Sequence, residues 1–141
     1  MFHPISLRWS DFDANVHLRH SVYYDFGAAE RIDLFEEKGI GYDFMKQEHF
    51  GPVLFREEAL FKREVRPGDK LYINTVVTRL RANSSRFSFR HEIKKEDGTI
   101  CAIINVDGAW IDTNLRKLTT PPSKVAECLG SIPKSEDFEW I

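Results

Sequence analysis

The hydrophobic positions of this chain change period once, and the change separates a helical part from a sheet part. Between residues 20 and 37 apolar side chains recur at intervals of three and four, so Val22, Phe26, Ala29, Ile32 and Phe35 share one helix face. Tyr23, Ala28 and Leu34 widen that stripe, which predicts a largely buried helix, and Gly39 and Gly41 end it. Residues 42–47 are expected to add one turn. From residue 53 the period is two: Val53, Phe55, Glu57, Ala59 and Phe61 alternate with Leu54, Arg56, Glu58 and Leu60, as in a strand. The Arg66-Pro67-Gly68-Asp69 turn, the Ala82-Asn83-Ser84-Ser85 break and the Glu96-Asp97-Gly98 hairpin then mark off three more strands. These begin at Leu71, run over 87–93 and run over 100–111. A short strand is expected over 5–9, and Pro121-Pro122 opens a short helix over 123–129.

Short turns force antiparallel neighbours. Strand, helix, then four strands predicts an α+β domain, a long helix against a curved antiparallel sheet of about five strands. A single helix covers one sheet face, and the other face is expected to meet a second copy of the chain. Residues 1–130 read as one domain and 131–141 as a C-terminal tail. Phe138, Trp140 and Ile141 are apolar in an acidic context there, which leaves a disordered tail and one docked on a neighbouring subunit both open.

Composition narrows this picture. A chain of 141 residues suits one domain, and 42% hydrophobic with 30% charged residues excludes whole-chain disorder. The net charge of -2 calls for no nucleic-acid partner, while leaving local basic patches open. No apolar run approaches a membrane span and the first residues have no signal layout, so the expected location is the cytoplasm, without membrane insertion. Cys101 and Cys128 form no CxxC pair, which argues against a disulfide framework and against a zinc site; no metal ligand set is expected.

The candidate chemistry lies between the first strand and the helix, where Asp11, Asp13, His17, Arg19 and His20 are crowded together. A helix start offers unpaired N–H groups and partial positive charge that stabilise an oxyanion or polarise a carbonyl. A carboxylate beside it can act as base or nucleophile, and a histidine can orient or protonate a leaving group. The plainer alternative is that the aspartates only cap the helix and the histidines are only solvated.

The stretch RWSDFDANVHLRHSVYYDFGAAER resembles the opening motif of hot-dog-fold acyl-CoA thioesterases of the 4-hydroxybenzoyl-CoA thioesterase type. The resemblance extends over about residues 5–125 and includes GPVLFREEALFKREVRPGDKLYI, the Ser-Ser break and the Pro-led closing helix. It implies a hot-dog fold whose central helix is wrapped by the sheet, and an active site at a homodimer interface, in a dimer or a dimer of dimers. By position Asp13 matches the family's catalytic aspartate, nucleophile or general base on water at the thioester carbonyl. His20 stands where a backbone N–H polarises that carbonyl and where the branch associated with the Tol-Pal envelope system has a histidine. His17 matches the histidine of a second branch, and Tyr23 matches a following tyrosine expected to pack beside substrate.

The implied reaction is hydrolysis of acyl-CoA to free acid and CoA, with water as acceptor and no cofactor. Arg81, Ser84, Ser85 and Arg86 fall where the family meets pantetheine and nucleotide, and arginine forks suit phosphates. Two departures stand out. Val16 replaces the usual glycine, and Arg19-His20 replaces the Asn-Asn of one branch. A β-branched residue disfavours positive φ, so the Asp13 loop is expected to differ in path or to narrow the pocket. The alternatives are a thioesterase acting on acyl carrier protein and a non-catalytic acyl-binding hot-dog protein. Glu57 or Glu58 must point inward, and pairing with neighbouring cations is the expected reason.

Overall fold

The computed structural model describes residues 1–141. In chain order the elements are β1 (His3–Ile5), a single 3-10 turn at Trp9–Asp11, α1 (Val22–Glu37), α2 (Tyr42–Gln47), β2 (Phe50–Phe61), β3 (Leu71–Ile73), β4 (Val76–Leu80), β5 (Arg86–Lys95), β6 (Ile100–Asp112), β7 (Lys117–Leu118), α3 (Ser123–Ser131) and β8 (Lys134–Trp140). All strands belong to one sheet, and every pairing is antiparallel except β4 with β8.

The sheet has eight strands where the sequence predicts about five. Its ladder has five positions: β2, β6, β5 with the short β7, then β3 with β4, then β1 with β8. The strand expected from Leu71 is cut in two at Asn74-Thr75, because Asn74 turns to accept the Glu92 N–H with its side chain at 2.8 Å. The first strand lies at His3–Ile5 and not over 5–9. Asp11 bonds back to Arg8 and winds Trp9–Asp11 into a turn, which leaves Trp9 94% exposed. Residues 134–140 are a strand of the chain's own sheet, parallel to β4, where the sequence left a tail. Arg90 holds Asp137 with two N–H bonds of 3.0 and 3.3 Å, and Phe138 packs against the core.

The core sits between α1 and the inner sheet face. Phe87, Phe89, His91 and Ile93 of β5 point inward, and Trp110 of β6 lies among Phe35, Phe50 and Phe87 with ring centroids 5.4–5.9 Å away. Gly108 lets these layers meet: a Cβ there would stand 2.6 Å from the Val53 carbonyl oxygen and from the Phe87 ring. The helix is less covered than its apolar stripe predicts. Ala28 and Ala29 are exposed, whereas Gly27 and Glu30 are buried, the latter through a 2.8 Å contact with His3.

The outer sheet face is not an apolar surface in need of cover. Arg56, Glu58, Arg90, Asn105 and Asp107 stand on it and pair with one another, so water can solvate it. The apolar exposure lies on β2, which pairs only with β6 and presents Leu54, Phe55, Leu60 and Phe61 along its free edge. No helix is long and apolar enough to cross a membrane.

Candidate functional site

Asp13 sits in the loop before α1, and the loop is built around two aspartates with different tasks. Asp11 is fully buried; its carboxylate accepts from the Arg8 backbone N–H at 2.8 Å and from the Arg8 guanidinium at 2.9 and 3.2 Å. Burial alone would raise its pKa, but the Arg8 bonds and the Arg8 and Arg19 charges together hold it below the usual carboxylate range. Asp11 also accepts the Arg19 N–H on its carbonyl at 2.7 Å, so it clamps both ends of the loop.

Asp13 is exposed. Its Oδ1 accepts from the backbone N–H groups of Asn15 (2.9 Å) and His17 (3.2 Å), and the other oxygen has no protein partner. The backbone N–H groups of His20 and Ser21 make no hydrogen bond within the protein, so the helix start keeps free donors. Leu18 N–H donates to the Val65 carbonyl at 2.8 Å and fastens the loop to the β2–β3 connection. That contact encloses an open cavity of about 360 Å³ lined by Asp13, His17, His20 and Tyr23 from one side and Phe61 to Val65 from the other.

The sequence reading did not include Glu64, and the structure adds it. Glu64 Oε2 lies 2.8 Å from His17 Nε2. Its carboxyl is held below the usual range first by the Arg66 guanidinium hydrogen bond, then by the Arg66, His17 and Lys95 charges, against the opposing effect of burial. A carboxylate on one ring nitrogen fixes the imidazole's orientation and tautomer. Nothing local in the sequence marks Glu64, because only the Leu18–Val65 contact brings it to the loop. Lys62 and Arg63 line the same cavity and have no ion-pair partner.

Val16 adopts φ 61°, the left-handed conformation that favours the glycine it replaces, and its side chain is 57% exposed. Strain there is relieved by removing the branched Cβ, so Val16→Gly is expected to raise stability by about 1 kcal/mol, net of the extra entropy of glycine. Urea unfolding measures it; a midpoint that does not rise would mean that Val16 carries no strain.

The turn expected to meet CoA is separate from this cavity within one chain. Arg81, Ser85 and Arg86 line a second depression of about 250 Å³ with Leu118 and Thr119. Ser84 does not open onto it: it is buried at φ 61°, and its carbonyl accepts the Trp110 indole N–H at 3.0 Å. Arg86 also lies over the Phe55 ring of β2, 4.7 Å from its centroid. Glu57 points toward Arg31 on α1, while Glu58 pairs with Arg56 and Asn105. Cys101 and Cys128 are free and buried, and burial pushes the Cys128 thiol up to about 11. No group of three His, Cys, Asp or Glu side chains is gathered to hold a metal ion.

Residues 7–129 match the family described as the thioesterase-like superfamily. No curated protein matches the chain. Among solved structures it is similar to the 1,4-dihydroxy-2-naphthoyl-CoA thioesterase of Synechocystis, with TM-score 0.82 and 16% identity over 92% of this chain and 95% of that one. A DHNA-CoA thioesterase from Staphylococcus aureus gives TM-score 0.81 and 17% identity over 92% of this chain and 87% of that one. A hypothetical protein from Staphylococcus aureus, solved in complex with CoA, gives 0.84 and 16% over 95% and 86%. At these identities the likeness is one of fold, and it places the chain among hot-dog thioesterase folds.

Proposed function

Since the chain belongs to the thioesterase-like superfamily and its chemistry is that of a thioesterase, we propose that it hydrolyses acyl-CoA to free acid and CoA at the Asp13 cavity. The observation that carries this reading is an exposed carboxylate with one free oxygen, facing the same cavity as a helix start whose N–H donors are unpaired. The thioester carbonyl accepts from the His20 N–H, which stabilises the developing oxyanion. Asp13 then acts on the carbonyl carbon, directly or through water, and CoA leaves as the thiol. His17, oriented by Glu64, stands where the leaving group or the attacking water needs a proton partner.

The branch of the family is the 4-hydroxybenzoyl-CoA thioesterase type, with the Tol-Pal-associated loop features at His20. The working unit is a homodimer, or a dimer of dimers, in which two free β2 edges pair across a two-fold axis. A twelve-residue strand with unpaired backbone groups and exposed Phe55 and Phe61 supports that arrangement. It would bring the partner's Arg81–Arg86 turn toward the Asp13 cavity, where Arg81, Ser85 and Arg86 join Lys62 and Arg63 around the CoA phosphates. Tyr23 packs beside the acyl group. The named neighbours that act on aromatic CoA esters support CoA as the carrier in preference to acyl carrier protein.

The test is free-thiol release from short, long and aryl acyl-CoAs by the purified protein. Turnover of one class is expected. No turnover on any CoA ester, with release from an acyl carrier protein thioester, would move the substrate to the carrier protein; tight binding without release would make the protein an acyl binder.

A further inference from the structure

Tyr23 lies in the first turn of α1, three residues after His20, so the two share a helix face. It is 4% exposed, and its ring is held edge-on by two others: Phe26 at 6.3 Å between centroids and Phe61 of β2 at 5.2 Å. Such a slot would suit phenylalanine equally well. What tyrosine adds is a hydroxyl, and that hydroxyl makes no hydrogen bond within the protein.

The hydroxyl is not sealed in the core either. Ser135 Oγ is the only side-chain nitrogen or oxygen that is both shut off from solvent and unpaired. The Tyr23 hydroxyl therefore reaches open space, and the space that Tyr23 lines is the Asp13 cavity. Helix geometry gives its direction. A long side chain on a helix leans toward the N-terminus and covers the turn before it, so the Tyr23 ring extends over the turn of His20. A tyrosine this deeply buried normally finds a partner for its hydroxyl, because a lost hydrogen bond costs about 1–3 kcal/mol.

We propose that the Tyr23 hydroxyl is a catalytic group, the second donor to the thioester carbonyl oxygen beside the His20 N–H. Two donors match the two lone pairs of that oxygen. As the carbonyl carbon turns tetrahedral the oxygen gains negative charge and both bonds strengthen, so they act on the barrier more than on ground-state binding. The ring contacts hold the hydroxyl in place beforehand, and little reorganisation is needed when the charge develops. The phenol keeps its proton: burial, with a further contribution from Cys101, pushes its pKa up to about 12. The inference rests on the acyl-CoA reading of the Asp13 cavity.

The experiment is Tyr23→Phe, which removes the hydroxyl and keeps the ring contacts. On the best ester of the panel kcat is expected to fall about a hundredfold with KM little changed. The thermal unfolding midpoint is expected to hold or rise, since no hydrogen bond within the protein is lost. A packing role alone predicts no change in kcat. A kcat within about twofold of the wild type, or a rise in KM with kcat unchanged, would overturn the proposal. So would a lowered unfolding midpoint, which would show that the hydroxyl serves the fold. If the wild type cleaves no thioester, the thioesterase reading fails separately. Calorimetric binding of octanoyl-CoA to the wild type and Tyr23→Phe then still reads the hydroxyl: severalfold weaker binding by the variant supports a donor to the carbonyl, and equal binding refutes it.

Discussion

Replacing Asp13 with asparagine is expected to slow thiol release by about a hundred- to ten-thousand-fold, a barrier increase of about 3–5 kcal/mol, with the fold intact. The amide oxygen of asparagine can still accept the Asn15 and His17 N–H bonds that hold the loop, so the geometry around Oδ1 survives. What disappears is the negative charge and the capacity of the second oxygen to take a proton or attack carbon. The loss should fall on kcat rather than KM, because the exposed carboxylate contributes chiefly as the reaction proceeds. The free donors at His20 remain and should leave residual turnover. Steady-state kinetics on the best ester of the panel measures this; a variant as fast as the wild type would remove Asp13 from the mechanism.

Trp110→Ala is expected to cost about 3–5 kcal/mol of stability, the range for deleting a large buried aromatic. Its ring is fully buried among side chains of α1, β2 and β5, so no single neighbour can move in to fill the space. The indole N–H is also the donor for the Ser84 carbonyl, which would be left without its partner inside the turn. Trp110→Phe should lose less, since it keeps most of the packing and sacrifices the hydrogen bond. Urea unfolding of the three proteins orders them; a loss below about 1 kcal/mol for Trp110→Ala would show that this core relaxes freely.

How far the sequence could be read depended on whether the governing contacts were local. The α1 span and the strands of the β5–β6 hairpin follow from periodicity and from turn residues, which act within a few positions. The same periodicity misplaced Ala29 inside and missed the burial of Glu30, because His3 reaches the helix from a distant strand. The first strand was shifted because the Arg8–Asp11 clamp, not β propensity, decides where the chain turns. Residues 134–140 set apolar side chains in an acidic context, which leaves a disordered tail and a docked one both open; the partners of Asp137 and Glu139, Arg90 and Arg79, are identifiable only once β4 and β5 are side by side. At the site, the Asp13 loop was legible as a motif, whereas Glu64 was hidden by its separation in sequence. At Val16 a branched residue is expected to avoid positive φ and so to alter the loop's path or narrow the pocket, whereas the residue takes the glycine-like φ of 61°.

The buried His91 ties the protein's interior to proton activity. Burial, with the Arg31 charge beside it, pushes its pKa down to about 3, against the opposing effect of the Asn74 carbonyl. Once the chain unfolds, the same imidazole returns to the ordinary value near 6.5 and takes up a proton that the native state refuses. Folding therefore releases a proton in mildly acidic solution. Stability contributed by this site is fully present above about pH 6.5 and declines as the pH falls toward 3, by up to about 1.4 kcal/mol per unit. A core histidine that stays neutral in the native protein down to about pH 3 thus acts as an acid-side limit on the conditions in which the fold can persist.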